Sequence, residues 1–173
     1  MEDGTNDLMK KITGSVPNIE ETIAIGAVVN ADGFRKMFYK RGMTISGYAQ
    51  KILDKIPLTK ERKEIKIIII SLASLGFGFN EEVEYPTICL KAKEMGLKLC
   101  PVEVGPQICL QIFKGFQEGD WFEVASEPII DSYGVSRLFA PEWSDEKLSL
   151  GTHCIGPGIT YSVSNRFAFV KQT

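Results

Sequence analysis

The spacing of apolar residues changes near Pro101, and this change constrains the possible folds more than any other feature of the sequence. Before Pro101 apolar residues recur mostly at helical intervals, whereas after it they mostly alternate with polar residues between turn formers. We therefore expect an α+β chain, with an N-terminal helical lobe followed by a small antiparallel β-sheet or open barrel. The expected divisions are a flexible tail at 1–17, the helical lobe at 18–98 and the β lobe at 99–173, with the two lobes forming one folding unit.

Capping residues and apolar periodicity predict four helices in the helical lobe. They cover residues 34–41, 47–56, 59–75 and 81–95. Two positions leave alternatives open. The run Ile67–Ile70 suits a buried strand as well as a buried helix, and Pro86 allows the last helix to start after Tyr85. The segment 18–30 is equally compatible with a short helix and with a strand.

Alternating apolar residues bounded by Gly, Pro, Asp and Asn predict short strands in the β lobe. They cover residues 107–113, 121–125, 136–139, 147–150, 159–163 and 166–171. Strands of this length and spacing are typical of a small antiparallel sheet that packs against helices.

Length and composition indicate one ordinary domain, with 173 residues of which 44% are hydrophobic. The four cysteines form no Cys-x-x-Cys pair and His153 is the single histidine, so we expect neither a metal site nor a cofactor. The N-terminal residues predict no signal peptide or anchor, and the apolar run Ile67–Leu75 is too short for a bilayer. These features predict a soluble cytoplasmic protein that does not enter a membrane.

The helical lobe is locally basic, since residues 31–66 hold ten Lys or Arg against four Asp or Glu. Within it, residues 35–56 have the spacing of a helix-turn-helix, with Ser46, Gln50 and Lys51 on the second helix as polar contacts to a nucleic acid. A solvated helix face explains the same charges, and the net charge of −2 does not favour nucleic acid. Nucleic-acid binding is therefore an alternative rather than the first interpretation.

Four carboxylates in the β lobe are the weak candidates for acid–base chemistry, although four in about thirty residues is near the expected frequency. The set consists of Glu103, Glu123, Glu127 and Asp131, and Arg166 is the candidate partner for an oxyanion or a phosphate. Surface positions and internal salt bridges are the more common use of such residues. A carboxylate-dependent hydrolase requires Glu103, Glu127 or Asp131 to converge with Arg166 in a cleft.

Aromatic side chains suggest a binding surface in the same part of the chain. Trp121, and Trp143 in a predicted loop, are the candidate contact residues for a ligand or partner. His153 and Cys154 are not interpreted as a catalytic dyad, because neighbours in an extended chain point to opposite faces. His153 is interpreted as a loop residue. Most other aromatic residues are expected in the core.

Four short motifs carry a resemblance. They are Leu99-Cys100-Pro101-x-Glu103-Val104-Gly105-Pro106-Gln107, Gly119-x-Trp121, Glu127-Pro128-Ile129-x-Asp131-Ser132-x-Gly134 and Asn165-Arg166-Phe167-x-Phe169-Val170. As a set, this pattern resembles that of a group of small bacterial hypothetical proteins with no established activity. The resemblance implies an intact domain of bacterial type and no catalytic residues. The chain departs from the pattern at Gly47-Tyr48 and at Tyr161 or Ser162.

No phosphate loop, nucleophile elbow, dinucleotide fingerprint or metal-ligand pattern occurs in the sequence. The first interpretation is therefore a non-enzymatic binding or interaction module with a protein or small-molecule partner. The hydrolase and the nucleic-acid-binding protein are the alternatives.

Overall fold

The computed structural model describes residues 17–172, so all but one residue of the predicted tail lies outside the described part. The chain has a mixed α+β fold, as expected from the sequence. Its elements are β1 (Ile19–Ile25), α1 (Ala31–Lys40), α2 (Gly47–Leu53), β2 (Lys63–Ser71), β3 (Val83–Glu84), α3 (Tyr85–Glu94), β4 (Leu97–Lys98), α4 (Val104–Gln111), β5 (Glu123–Val124), β6 (Ile129–Ile130), β7 (Ser136–Ser144), β8 (Lys147–Cys154), β9 (Thr160–Tyr161) and β10 (Arg166–Lys171). Within 17–172, no helix is both long and apolar enough to cross a bilayer.

The main sheet has the strand order β1-β2-β10-β4, with β5 in parallel beside β10. The strand β2 lies inside this sheet, so the predicted helix at 59–75 is wrong. Residues Ile67–Ile70 are buried on both faces of the sheet, and a strand covered on both faces reads as a continuous apolar run. The segment that starts at Ile19, which the sequence left open, is the edge strand β1.

The helix α4 replaces the strand predicted at 107–113. All of Val104–Leu110 is buried, so the segment shows no amphipathic stripe from which a helix could be recognised. Gly105 permits the close packing, because a Cβ there would lie 2.6 Å from the ring of Phe139. The helix is therefore specified by its surroundings more than by its own periodicity.

Three predicted helices are confirmed with small shifts of their ends. Asn30 caps α1 by accepting a hydrogen bond from the N–H of Gly33 at 3.0 Å, and Ser46 caps α2 through the N–H of Ala49 at 3.3 Å. The helix α3 begins at Tyr85, with Pro86 in its first turn where a missing N–H costs nothing.

The long hairpin β7–β8 forms a second sheet with β6. Both strands extend beyond their predicted ends, and the turn between them places Asp145 and Glu146 at φ 53° and 63°. The extension brings Trp143 into β7 and His153 into β8, where the sequence predicted loops.

The expected division into a helical lobe and an open barrel is not confirmed. The strands β1 and β2, from residues 18–98, share one sheet with β10, from residues 99–173. Buried residues cover both faces of this sheet. One cluster includes Ile67, Ile69 and Ala168, and the other includes Ile68, Ile70 and Phe167.

Candidate functional site

A carboxylate is buried inside the fold at Glu123, in β5. The segment that carries it runs between two strands: Glu123 lies opposite Phe167 of β10, and Phe122 donates its N–H to the carbonyl oxygen of Pro141 in β7 at 3.2 Å. Glu123 is fully buried, with 0% of its surface exposed. Because removal of a carboxylate from water is unfavourable, such a residue requires a partner.

His153 in β8 is that partner. Its Nδ1 lies 2.6 Å from Oε1 of Glu123, and 46% of its side chain is exposed. An ionised carboxylate only accepts hydrogen bonds, so Nδ1 carries the proton and Nε2 is left for other contacts. The pair therefore links a buried charge to an imidazole at the surface.

The pKa values of both groups move in the same direction. The hydrogen bond to Glu123 raises the pKa of His153, and the charge of Glu142 adds to this effect. Burial raises the pKa of Glu123, although the hydrogen bond from His153 acts against it. Loss of the proton from His153 would leave a buried negative charge without compensation, so the pair retains that proton to higher pH than an isolated imidazole.

Trp121 lies beside this histidine. The two ring centroids are 4.9 Å apart with the planes at 89°, and the tryptophan is 37% exposed. An isolated β-bridge to Glu142 of β7 fixes its backbone. We call Trp121 and His153 the Trp–His surface. It combines an apolar ring with a polar ring nitrogen, a pairing that suits contact with a ligand or a partner.

Tyr161 lies on the inner side of the same site. It is 6% exposed, and its ring centroid lies 4.9 Å from that of Phe167 in a T-shaped contact. Burial raises the pKa of the Tyr161 hydroxyl, and the negative charge of Glu123 raises it further. Its hydroxyl oxygen and Oε2 of Glu123 have no hydrogen-bond partner among residues 17–172. Buried polar atoms without protein partners are unusual in native proteins, and strain, a functional role or a bound water accounts for them.

Arg166 does not join this site, because it precedes Phe167 and lies on the other face of β10. Its Nη2 is 3.2 Å from Oδ2 of Asp120, and its guanidinium lies over the ring of Phe116 at 5.8 Å. Its Nη1 has no hydrogen-bond partner in the described part of the chain.

The other three candidate carboxylates lie in separate places. Glu103 is fully buried and accepts hydrogen bonds from the N–H groups of Thr59 at 2.7 Å and Gly26 at 3.2 Å. Asp131 is 2.6 Å from Arg137, which lowers the pKa of Asp131, and Glu127 is exposed. The structure therefore does not bring these groups together with Arg166 in one cleft.

Trp143 differs from Trp121 in its exposure, and this corrects its expected place on a binding surface. Its exposed fraction is 9%, and its ring lies 5.4 Å from that of Phe116 in the larger core cluster. A backbone contact with the segment before β5 holds it there, since the N–H of Trp143 donates to the carbonyl oxygen of Asp120 at 2.7 Å. Only Trp121 of the two is available to a ligand.

The candidate residues for nucleic-acid binding make contacts with other residues of the chain. Ser46 caps α2, and Gln50 Oε1 accepts a hydrogen bond from Arg35 at 2.7 Å. Lys51 lies 5.6 Å from the ring of Tyr133. Nucleic-acid binding by this segment stays a prediction.

Sequence reasoning underestimated Glu123, His153 and Tyr161. Alternation in the segment Thr152-His153-Cys154 was a usable signal, because it continues the pattern of β8. The pairing of Glu123 with His153 spans thirty residues of sequence, and it depends on the position of β5 between β7 and β10. No local pattern encodes that position.

Among residues 17–172 no group of three or more His, Cys, Asp or Glu side chains is arranged to hold a metal ion. Comparisons with protein-family models, with curated proteins and with solved structures each found no match. The resemblance to a group of small bacterial proteins stays a prediction. The geometry of the Trp–His surface therefore carries the functional interpretation.

Proposed function

We propose that this protein is a binding module whose contact surface is the Trp–His surface. The observation that carries the proposal is a half-exposed imidazole held by a fully buried carboxylate, directly beside a half-exposed tryptophan. The buried carboxylate fixes the orientation of His153 and the position of its proton, so little conformational entropy is lost when a ligand binds. Trp121 supplies apolar contact area at the same place.

The test uses two signals that report on this surface alone. His153 is the single histidine, and Trp121 and Trp143 are the two tryptophans, so NMR assigns their ring resonances without ambiguity. A library of small aromatic acids and amides is screened for compounds that shift both the His153 and the Trp121 resonances. The buried Trp143 provides the internal reference.

We expect His153→Gln and Trp121→Ala each to weaken the binding of any such compound at least tenfold. The control is Tyr39→Ala, which removes an aromatic ring that is 87% exposed on α1 and leaves the Trp–His surface intact. A library without a single compound that shifts both resonances would overturn the proposal. Binding that survives both variants would also overturn it.

A hydrolase is the second candidate, and the Glu123–His153 pair itself favours it. A base held by a carboxylate at its other nitrogen is the arrangement that orients histidine for proton transfer. In the described part of the chain no hydroxyl or thiol hydrogen-bonds to His153, so water is the nucleophile. Water attacks the acyl carbon while Nε2 of His153 takes its proton, and the imidazolium then gives that proton to the leaving oxygen as the C–O bond breaks, so a carboxylic acid and an alcohol are released.

Hydrolysis of p-nitrophenyl acetate tests this candidate. We expect the rate to rise with pH through the pKa of His153 and to fall at least tenfold in Glu123→Gln, in which His153 remains. An equal rate in the wild type and in Glu123→Gln means that His153 acts as any surface imidazole does, and it rules out the hydrolase.

We also propose that residues 18–98 and 99–173 fold as one unit in a reducing cytoplasm. Pairing of β2 with β10 supports the single unit, because neither part completes the main sheet alone. The four free thiols, Cys89, Cys100, Cys109 and Cys154, support the reducing compartment.

A further inference from the structure

We infer that a groove between α3 and β4 binds an amphipathic anion, with an apolar chain along the groove and the anionic group near Lys93. The groove has a volume of about 580 Å³ and shares no residue with the Trp–His surface. Phe169 of β10 forms its floor. This inference is independent of the proposed function.

The sequence of α3 explains why the groove is apolar. Tyr85, Ile88 and Ala92 face the core, as expected for one stripe of an amphipathic helix. The opposite face should be polar, yet Leu90 is 65% exposed there. Leu90 joins Pro86 and Cys89 in a second apolar patch on the helix, and this patch borders the groove.

The strand β4 supplies the other wall. Leu97 is nearly buried against Phe169, whereas Leu99 directly after the strand is 37% exposed. Leu90 and Leu99 thus present apolar surface to solvent on both sides of a concave floor. A concave, mostly apolar pocket of this volume is typical of small-molecule sites.

Charge selects the class of ligand. Lys93 and Lys98 are the charged residues that line the groove, and neither forms an ion pair with any residue in 17–172. Unpaired lysines beside an apolar floor are complementary to an anion with an apolar tail. A neutral ligand would offer no ion-pair partner to either lysine.

The position of Lys93 defines a direction along the groove. Lys93 lies in the last turn of α3, and Leu90 lies one turn before it on the same helix. The anionic group therefore belongs near Lys93, and the apolar tail points toward Leu90.

Decanoate below its micelle concentration is the probe, and 1-decanol is the matched neutral probe. Binding is followed by NMR through the methyl resonances of Leu90 and Leu99. We expect decanoate to shift both methyl resonances until the shifts reach a plateau. We also expect decanoate to bind more tightly than decanol. Lys93→Gln should weaken decanoate binding roughly two- to fivefold, and Lys98→Gln should weaken it less because the anionic group lies near Lys93. Neither variant should change the binding of decanol.

Two further variants complete the design. Lys91→Gln is the matched control, because Lys91 lies on the same helix outside the groove and pairs with Glu94. Leu90→Gln should weaken both probes, and since Leu90 is exposed the fold is retained, as an unchanged His153 resonance will show.

Equal affinity for decanoate and decanol would overturn the inference, as would the absence of binding by either. A concentration-dependent dimer that Leu90→Gln converts to a monomer would also overturn it, because a second copy of the chain would then cover the groove. None of these outcomes affects the Trp–His surface, since different residues form it.

Discussion

Glu103 and Glu123 are both fully buried carboxylates, yet different kinds of donor hold them. Backbone N–H groups of Gly26 and Thr59 hold Glu103, one on each oxygen. An imidazole holds one oxygen of Glu123, and the other oxygen has no partner among the described residues. Glu103 therefore has both oxygens satisfied, whereas Glu123 does not.

The difference separates a carboxylate that is held by the backbone alone from one that is coupled to a titratable group at the surface. Backbone donors neither titrate nor reach a ligand, so Glu103 can only join the loops that contain Gly26 and Thr59. His153 titrates and is half exposed, so its environment at the surface affects the state of Glu123. Full burial alone does not distinguish the two residues, but the chemistry of the donor does.

The largest expected effect is on stability, at Glu103. Glu103→Ala leaves the N–H groups of Gly26 and Thr59 without their acceptor, and each loss costs about 1–3 kcal/mol. We expect the free energy of unfolding to fall by about 2–4 kcal/mol, measured by urea denaturation. A fall of less than about 1 kcal/mol would show that water replaces the carboxylate at both positions.

The second effect concerns the proton of the Glu123–His153 pair. In Glu123→Gln we expect the pKa of His153 to fall by roughly one unit or more, because the negative charge that stabilises the imidazolium is gone. NMR titration of the single histidine measures this value. The free energy of unfolding should change by less than about 1 kcal/mol, since loss of the ion pair is offset by loss of a buried charge. An unchanged pKa would mean that Glu123 is not ionised in the folded protein.

The third effect is a pH dependence of stability. The folded-state pKa of His153 is raised above its ordinary value of 6.5, so the folded protein holds the proton to higher pH than the unfolded chain does. The resulting stabilisation is complete below pH 6.5 and is lost as the pH rises through the folded-state pKa. Screening at a half-exposed residue keeps it under about 1 kcal/mol.

Urea denaturation at several pH values compares the wild type with His153→Gln. The wild type should lose stability relative to the variant as the pH rises above 6.5. A difference that stays constant with pH, or one that grows, would contradict the raised pKa.

The sequence predicted elements best where local signals agree with the surroundings. The strand β10 was predicted with its observed bounds, and caps at Asn30 and Ser46 belong to two of the helices that are confirmed. The type of element was predicted wrongly where both faces of the element are buried, at β2 and at α4. Complete burial removes the alternation of apolar and polar residues from which the type of element is inferred.

The site was less predictable than the fold. Trp121 was among the predicted binding residues and lies on the Trp–His surface. His153 was interpreted as a loop residue, because the residues next to it do not show how far the β7–β8 hairpin extends, and it is the pairing of His153 with Leu138 that places it in a strand. Its contact with Glu123 requires β5 to lie between β7 and β10, and this placement is a property of the whole sheet.

The smallest effect is expected at Glu127, which is exposed and lies four residues after Glu123. Glu127→Gln should change the free energy of unfolding by less than about 0.5 kcal/mol, as surface substitutions usually do. Its measurable effect is local: loss of the charge lowers the pKa of Cys89, so alkylation of that thiol should be slightly faster. Mass spectrometry measures the labelling, with Cys154 of the same sample as the control. A loss of stability above about 1 kcal/mol would instead place Glu127 with Glu103 among the structural carboxylates.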